Sequence, residues 1–228
     1  MSAGSNAALD LARLARRAVN AALQAAETGA FTVLHPDGGH ALACGLTASI
    51  AVRIDGHVGY YCAGMNQRAA VTIGGNAGTG VAENIMSGVV RVTGDASQSA
   101  GASGHGGLLV IEGDAAARCG ISMKGVDIVV GGSAGHMSAF MAQAGRLVIC
   151  GDAGADLGDS IYEARIYVRG RAASLGADCV EKPMRGKHLA ELGDLLARAD
   201  MTADPAEFRR YGSARKLYHF HVDTGESS

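Results

Sequence analysis

Aliphatic residues alternate with other residues in seven short stretches of the chain, and the stretches return at a constant interval of 19 residues. Val52, Val71, Val90, Leu109, Ile128, Leu147 and Ile166 each stand two residues ahead of Ile54, Ile73, Val92, Ile111, Val130, Ile149 and Val168. A period of two with β-branched enrichment puts both members of a pair on one face of a short strand, pointing into a core. Two residues further on comes a glycine each time, at Gly56, Gly75, Gly94, Gly113, Gly132, Gly151 and Gly170, with no insertion or deletion between copies. Such a register is the signature of a solenoid in which every coil adds one buried rung.

Small residues hold phase with the glycines. Three residues after them stand Gly59, Gly78, Ser97, Ala116, Gly135, Gly154 and Ala173, and seven after them Ala63, Ala82, Gly101, Gly120, Ala139, Gly158 and Ala177. Such corners need either a positive φ or a backbone passing too close to the next coil for a Cβ branch. Paired-helix repeats need about 33 residues or more, whereas β-coils stacked about 4.8 Å apart need far fewer. Because 19 is not a multiple of six, a left-handed hexapeptide helix is disfavoured. The pattern predicts an all-β fold, a right-handed parallel β-helix of 19-residue coils, with N- and C-terminal helical caps. The expected divisions are residues 1–29 for an N-terminal helical cap, 30–180 for the β-helix, and 181–228 for C-terminal helices and a docking tail.

At the N-terminus, Ala7 to Glu27 reads as a helix with Asn6 as its cap, Leu11, Leu14, Ala18, Ala22 and Ala25 on one face, and Gly29 just past its end. It is expected to cover the first coil, since an open strand edge would pair with other molecules. Phe31 to Leu46 reads as a degenerate initial coil. Lys187 to Arg198 reads as a second helix, and Asp204-Pro205 as the start of a short one reaching Arg210. The tail from Tyr211 to Asp223 is rich enough in aromatic residues to dock on its own solenoid or on another subunit.

Net charge is −2 and aromatic residues make up only 4%, which argues against a nucleic-acid surface. The five cysteines (Cys44, Cys62, Cys119, Cys150 and Cys179) form no C-x-x-C pair, as expected of reduced thiols in a cytoplasmic protein. Asp10, Arg13, Arg16 and Arg17 interrupt the only stretch that resembles a leader, and no apolar run reaches membrane-spanning length, so no membrane insertion is expected.

Asp95, Asp114 and Asp152 directly follow repeat glycines. Carboxylates on adjacent coils would stand about 5 Å apart and could share a proton, but Asn76 and Ser133 fill the same slot, which favours a turn role. His219 and His221 alternate as two metal ligands would, without a third ligand in any recognisable motif; a docked aromatic strand explains them better. His105 and His136 read as loop or interface histidines. Neither a phosphate-binding nor a dinucleotide-binding glycine motif is present, and Ser2 leads into an Ala-rich helix rather than the strand an N-terminal nucleophile needs. No residue is therefore assigned to catalysis, cofactor binding or metal binding. The non-repeating residues Tyr60, Tyr61, Met65, Asn66, Glu83, Asn84, Met86, Met123, Lys124, His136, Met137 and Phe140 fall in like parts of their coils. They form either a second core layer or a protein-binding face, and they are the candidate partner interface.

The G-x-x-G-x-x-x-G copies, complete at Gly151, Gly154 and Gly158, resemble the C-terminal β-helix domain of the glutamate synthase large subunit, with the β-helix subunit of formylmethanofuran dehydrogenase as a cousin. The strings Gly59-Tyr-Tyr-Cys-Ala-Gly-Met-Asn66, Gly80-Val-Ala-Glu-Asn84, Cys119-Gly-Ile-Ser-Met-Lys-Gly125, Gly135-His-Met-Ser-Ala-Phe-Met141, Glu181-Lys-Pro-Met184 and Arg209-Arg-Tyr-Gly-Ser-Ala-Arg215 resemble the stand-alone form of that domain. That stand-alone form, which the strings resemble, is the small β-helix subunit of N-methylglutamate synthase, or methylamine–glutamate N-methyltransferase. The resemblance implies a non-catalytic scaffold in a three-chain assembly with a glutamine-amidotransferase-like subunit and an FMN and iron–sulfur synthase-like subunit. Both cofactors would belong to that partner. The assembly would convert glutamate and methylamine to N-methylglutamate with release of ammonia. A subunit of a different complex, either a three-chain glutamate synthase or a formylmethanofuran-type enzyme, and an independent β-helix binding module are the alternatives.

Overall fold

The structure, a computed structural model, describes residues 6–217. Nine strands run parallel in chain order: β1 (Asn6–Asp10), β2 (Ala30–Leu34), β3 (Ala51–Ile54), β4 (Ala70–Ile73), β5 (Val89–Val92), β6 (Leu108–Ile111), β7 (Lys124–Val130), β8 (Ala144–Ile149) and β9 (Arg165–Val168). From β3 to β9 each strand lies one repeat on from its neighbour, so Val52 faces Val71, then Val90, Leu109, Ile128, Leu147 and Ile166. A second ladder of single bridges runs from Val58 through Ala77, Ala96, Ala115, Ala134 and Ala153 to Ala172. The expected parallel β-solenoid is present. Its alternating aliphatic pairs all point inward, none more than 2% exposed, and burial of each such side chain is worth about 1.5–3 kcal/mol.

The two reasons for small residues act at different places. Among the repeat glycines, only Gly56 has a positive φ, at 140°. At Gly94, Gly113, Gly132 and Gly170 an added Cβ would instead collide with the side-chain oxygen of Asn76, Asp95, Asp114 or Asp152 on the preceding coil. Those oxygens are fixed by hydrogen bonds. Asp95 N donates to Asn76 Oδ1 (3.0 Å), Asp114 N to Asp95 Oδ1 (2.9 Å), Ser133 N to Asp114 Oδ1 (2.6 Å), Asp152 N to Ser133 Oγ (3.1 Å) and Arg171 N to Asp152 Oδ1 (2.7 Å). Left-handed backbone occurs seven residues after the repeat glycine, with φ between 54° and 69° at Ala63, Ala82, Gly101, Gly120, Ala139 and Gly158.

The N-terminus departs from the sequence reading. Asn6–Asp10 is a strand rather than the start of a helix, and it pairs in register with β2, Leu9 opposite Val33. Leu9 and Leu11, two residues apart, both pack against the core, so tertiary pairing overrides the helix propensity of an Ala-rich segment. The helix is confined to α1 (Arg16–Ala25), with Val19 and Leu23 buried. It covers the turn side of the next coil. Asn20 Nδ2 donates to the Ala41 carbonyl (2.7 Å), Asn20 Oδ1 accepts from Ala43 N (2.9 Å), and Gln24 Nε2 donates to the Cys44 carbonyl (2.8 Å), so side chains satisfy backbone groups that lack a further coil.

At the other end, β9 pairs antiparallel with β11 (Arg209–Ser213), which pairs antiparallel with β10 (Cys179–Lys182). The short helix expected through Arg210 is a 3-10 turn, Pro205–Glu207, with Asp204 accepting from Ala206 N as its cap. It stops early because the chain from Arg209 onward enters the sheet. Tyr211 is buried there, while His219 and His221 lie outside the described residues.

Helix α2 (Gly186–Arg198) lies flat on the outer face of the sheet. Leu192, Leu195, Leu196 and Ala199, with Phe208, bury Leu108, Val110, Val129, Val148 and Tyr167 in a second core. Polar clamps flank it. Glu191 bonds Arg165 (2.5 Å) and Tyr167 Oη (2.6 Å), buried Asp127 takes both a bidentate pair from Arg146 (2.6 and 2.5 Å) and a contact from Arg198 (3.5 Å), and Arg91 reaches the Ala199 carbonyl and Asp200 at 2.9 Å each. Asp127 raises the Arg146 pKa, and burial followed by the Glu191 hydrogen bond raises that of Tyr167.

Candidate partner-binding interface

The candidate residues come from the half-coil between the bridge ladder and the next strand, apart from Lys124, which opens β7. Here the backbone alternates in hand. Tyr61, Ala63 and Met65 have φ of 63°, 54° and 56°, and their amides point alternately forward to Thr79 O, back to Leu42 O and forward to Glu83 O, at 2.8–2.9 Å. Inter-coil hydrogen bonds therefore hold non-glycine residues in a conformation that is otherwise uncommon for them.

This arc displays some candidates and hides others. Tyr60 (56% exposed), Met65 and Met86 (both 46%) are at the surface, with Met141 (39%) and Val89 (38%) as further exposed apolar residues. Tyr60 stacks on His40 of the preceding coil, ring centroids 3.6 Å apart. Lys124 and His136 are exposed, while Tyr61, Glu83, Asn84, Met137 and Phe140 are half-buried. Met123 and Asn66 are fully buried, and both leave the interface set. They stand ten residues after their repeat glycines, in an inward row with Ile85, Ala142 and Ile161. Met123 fills core space, and Asn66 Nδ2 donates to the carbonyls of Ala69 (2.9 Å) and Ser87 (3.1 Å), with its buried Oδ1 unpartnered. Nor is there a continuous methionine stripe: between Met65 and Met141, the equivalent positions hold Asn84, Ser103 and Ser122. Within the arc, the exposed apolar residues Tyr60, Met65 and Met86 lie on two adjacent coils, with Val89 next to them at the start of β5.

The aspartates after the repeat glycines serve the turn ladder described above, each Oδ1 committed to a backbone N–H of the next coil. Among the described residues, no three His, Cys, Asp or Glu side chains converge as metal ligands would, and no helix is long and apolar enough to cross a membrane. Cys62 and Cys119 are fully buried free thiols; burial pushes both pKa values up, that of Cys119 to about 12.

No protein-family model matches this chain. Over 224 residues it is 56% identical to Protein GlxC of Rhizobium meliloti (strain 1021), a match covering 96% of this chain and 98% of that protein. At that identity and near full-length coverage, the chain belongs to the GlxC family.

Proposed function

We propose that this chain is the scaffold subunit of a cytoplasmic, glutamate-synthase-like complex that converts L-glutamate and methylamine to N-methyl-L-glutamate and ammonia. The observation that carries the reading is the near full-length identity to Protein GlxC, taken with loop strings that resemble the stand-alone β-helix subunit of N-methylglutamate synthase. On this reading the chemistry belongs to partners, a glutamine-amidotransferase-like subunit and a synthase-like subunit that binds FMN and an iron–sulfur cluster. The solenoid holds them in a fixed relation. Its exposed apolar arc at Tyr60, Met65 and Met86 is the docking surface for one of them, because methionines and aromatics suit the centre of an interface.

Purification of the chain at native level from its own cells tests this. A yellow-brown complex with two larger chains and methylamine-dependent formation of N-methylglutamate is the expected result; a colourless solitary particle would overturn it. Within such a complex, Met65→Asp and Met86→Asp should release a partner while leaving the melting temperature of the isolated chain within about 2 °C, since both side chains are exposed. Retention of every partner by both variants would refute the assignment of the face.

A further inference from the structure

Unpaired positive charge collects at the C-terminal end of the solenoid, although the whole chain carries a net charge of −2. Between β9, β11 and the start of α2 lies a cleft of about 360 Å³ whose walls include Arg165, Lys182, Arg185, Lys187, His188 and Arg210. Arg165 is paired with Glu191, and the one carboxylate in the lining, Glu163, is paired with Arg215 at 2.9 Å. Among the described residues, Lys182, Arg185 and Lys187 have no carboxylate within ion-pair distance, and Arg210 donates only to the Pro183 carbonyl (3.3 and 3.1 Å).

The arrangement is unfavourable while the cleft is empty. Burial, then the positive charges of Arg165 and Arg185, lowers the Arg210 pKa; burial, then Arg210, Lys187 and Arg165, lowers that of His188. His188 is only 6% exposed. Its Nδ1 accepts from Arg185 N (3.2 Å), which leaves the proton on Nε2 as a donor without an acceptor among the described residues, in a side chain that lines the cleft. Helix α2 also begins without an acidic residue in its first turn, and Arg185 and Lys187 at that end oppose the helix dipole. A bound anion would offset the crowded positive charges through charge-assisted contacts and accept a hydrogen bond from His188 Nε2.

We propose that this cleft binds a small molecule carrying two or more carboxylate or phosphate charges. Its volume falls in the range of small-molecule pockets, about 300–1,000 Å³. A protein segment would need apolar anchoring sites, and apart from Tyr162 the lining has no large apolar side chain. The site is independent of the scaffold reading.

Calorimetric titration of the full-length chain with citrate, inorganic pyrophosphate and acetate at matched low ionic strength tests it. The expected result is a sub-millimolar Kd for citrate or pyrophosphate, at least 10-fold tighter than for acetate. The double variant Arg185→Gln/Lys187→Gln should bind at least 10-fold more weakly, yet melt without ligand at the wild-type temperature or above it, because the opposed charges at the helix start are gone. Lys182→Gln, on β10, gives an independent reading from another wall. Equal heats for all three anions would overturn the proposal, as would binding unchanged in both variants.

Discussion

Gly113→Ala tests the origin of the 19-residue glycine. The φ of Gly113 is not in the left-handed region, so alanine brings no backbone strain of its own and gains about 0.4–1 kcal/mol through the unfolded chain. Against this, the new Cβ collides with Asp95 Oδ1 and stands 2.9 Å from the Gly94 carbonyl oxygen. Moving the Asp95 carboxylate breaks its 2.9 Å hydrogen bond from Asp114 N, a loss of about 1 kcal/mol, and shifting packed backbone costs about 1–3 kcal/mol. The net destabilisation is about 1–3.6 kcal/mol, or roughly 2–14 °C in Tm for a chain of this size. Thermal melts read by circular dichroism give the value, and a double-mutant cycle gives its cause. In an Asp95→Ala background the carboxylate and its hydrogen bond are already absent, so Gly113→Ala should cost about 1 kcal/mol less there. If the two substitutions add to within about 0.3 kcal/mol, or if Gly113→Ala alone leaves Tm unchanged or raised, the ladder is not the reason for the glycine.

Two further outcomes follow from the ends and side of the solenoid. Asp127→Asn removes the buried negative charge opposite Arg146 and Arg198 and turns one of its two acceptor oxygens into an NH2 donor facing them; it should lower stability by about 3 kcal/mol, the low end for breaking a buried pair since Glu191 stands 3.8 Å from Arg146 as a substitute, and an unchanged denaturation midpoint would contradict it. The Asp10–His35 bond (2.7 Å) between the ends of β1 and β2 raises the His35 pKa above 6.5 and lowers that of Asp10 below 3.8. His35 contributes fully below pH 6.5 and loses its contribution as pH rises through its raised pKa. Asp10 contributes above pH 3.8 and loses its share as pH falls through its lowered one. The tether should thus be strongest between those limits. An NMR titration should place His35 above its ordinary value and Asp10→Asn should return it there, whereas an ordinary His35 pKa in the wild type would rule the tether out.

What could be read from the sequence was local. The paired aliphatics and small corners repeat at a spacing that only stacked coils satisfy, and they fall where the structure places them. The strand at Leu9 was hidden because alanine-rich neighbours suit a helix and its partner, Val33, lies 24 residues away. The docking of α2 did leave a trace. The early strands read Ala-Val-Arg-Ile and Ala-Val-Thr-Ile, polar on the outer face, whereas β6 reads Leu-Leu-Val-Ile and is buried on both faces. No strand or helix period marks Met123 and Asn66 as inward, because the alternating backbone hand sends neighbouring side chains in opposite directions; the signal that does is the 19-residue phase, which puts them at the same repeat position as Ile85, Ala142 and Ile161. The cationic cleft had no local signature at all, since it gathers residues from Tyr162 to Arg215.

Solenoids commonly gain or lose whole coils, since each unit contacts only its neighbours. Here α2 restricts that freedom. Glu191, near the middle of the helix, meets Arg165 of β9, and Asp200, just beyond its C-terminal end, meets Arg91 of β5, so nine residues of chain, about 14 Å as helix, together with the reach of the side chains at each contact bridge four strand steps of about 19 Å. Adding or deleting one coil between β5 and β9 would move one anchor by about 4.8 Å while leaving every coil intact. The helix thus works as a ruler, and the number of turns beneath it is fixed by a segment outside the repeat.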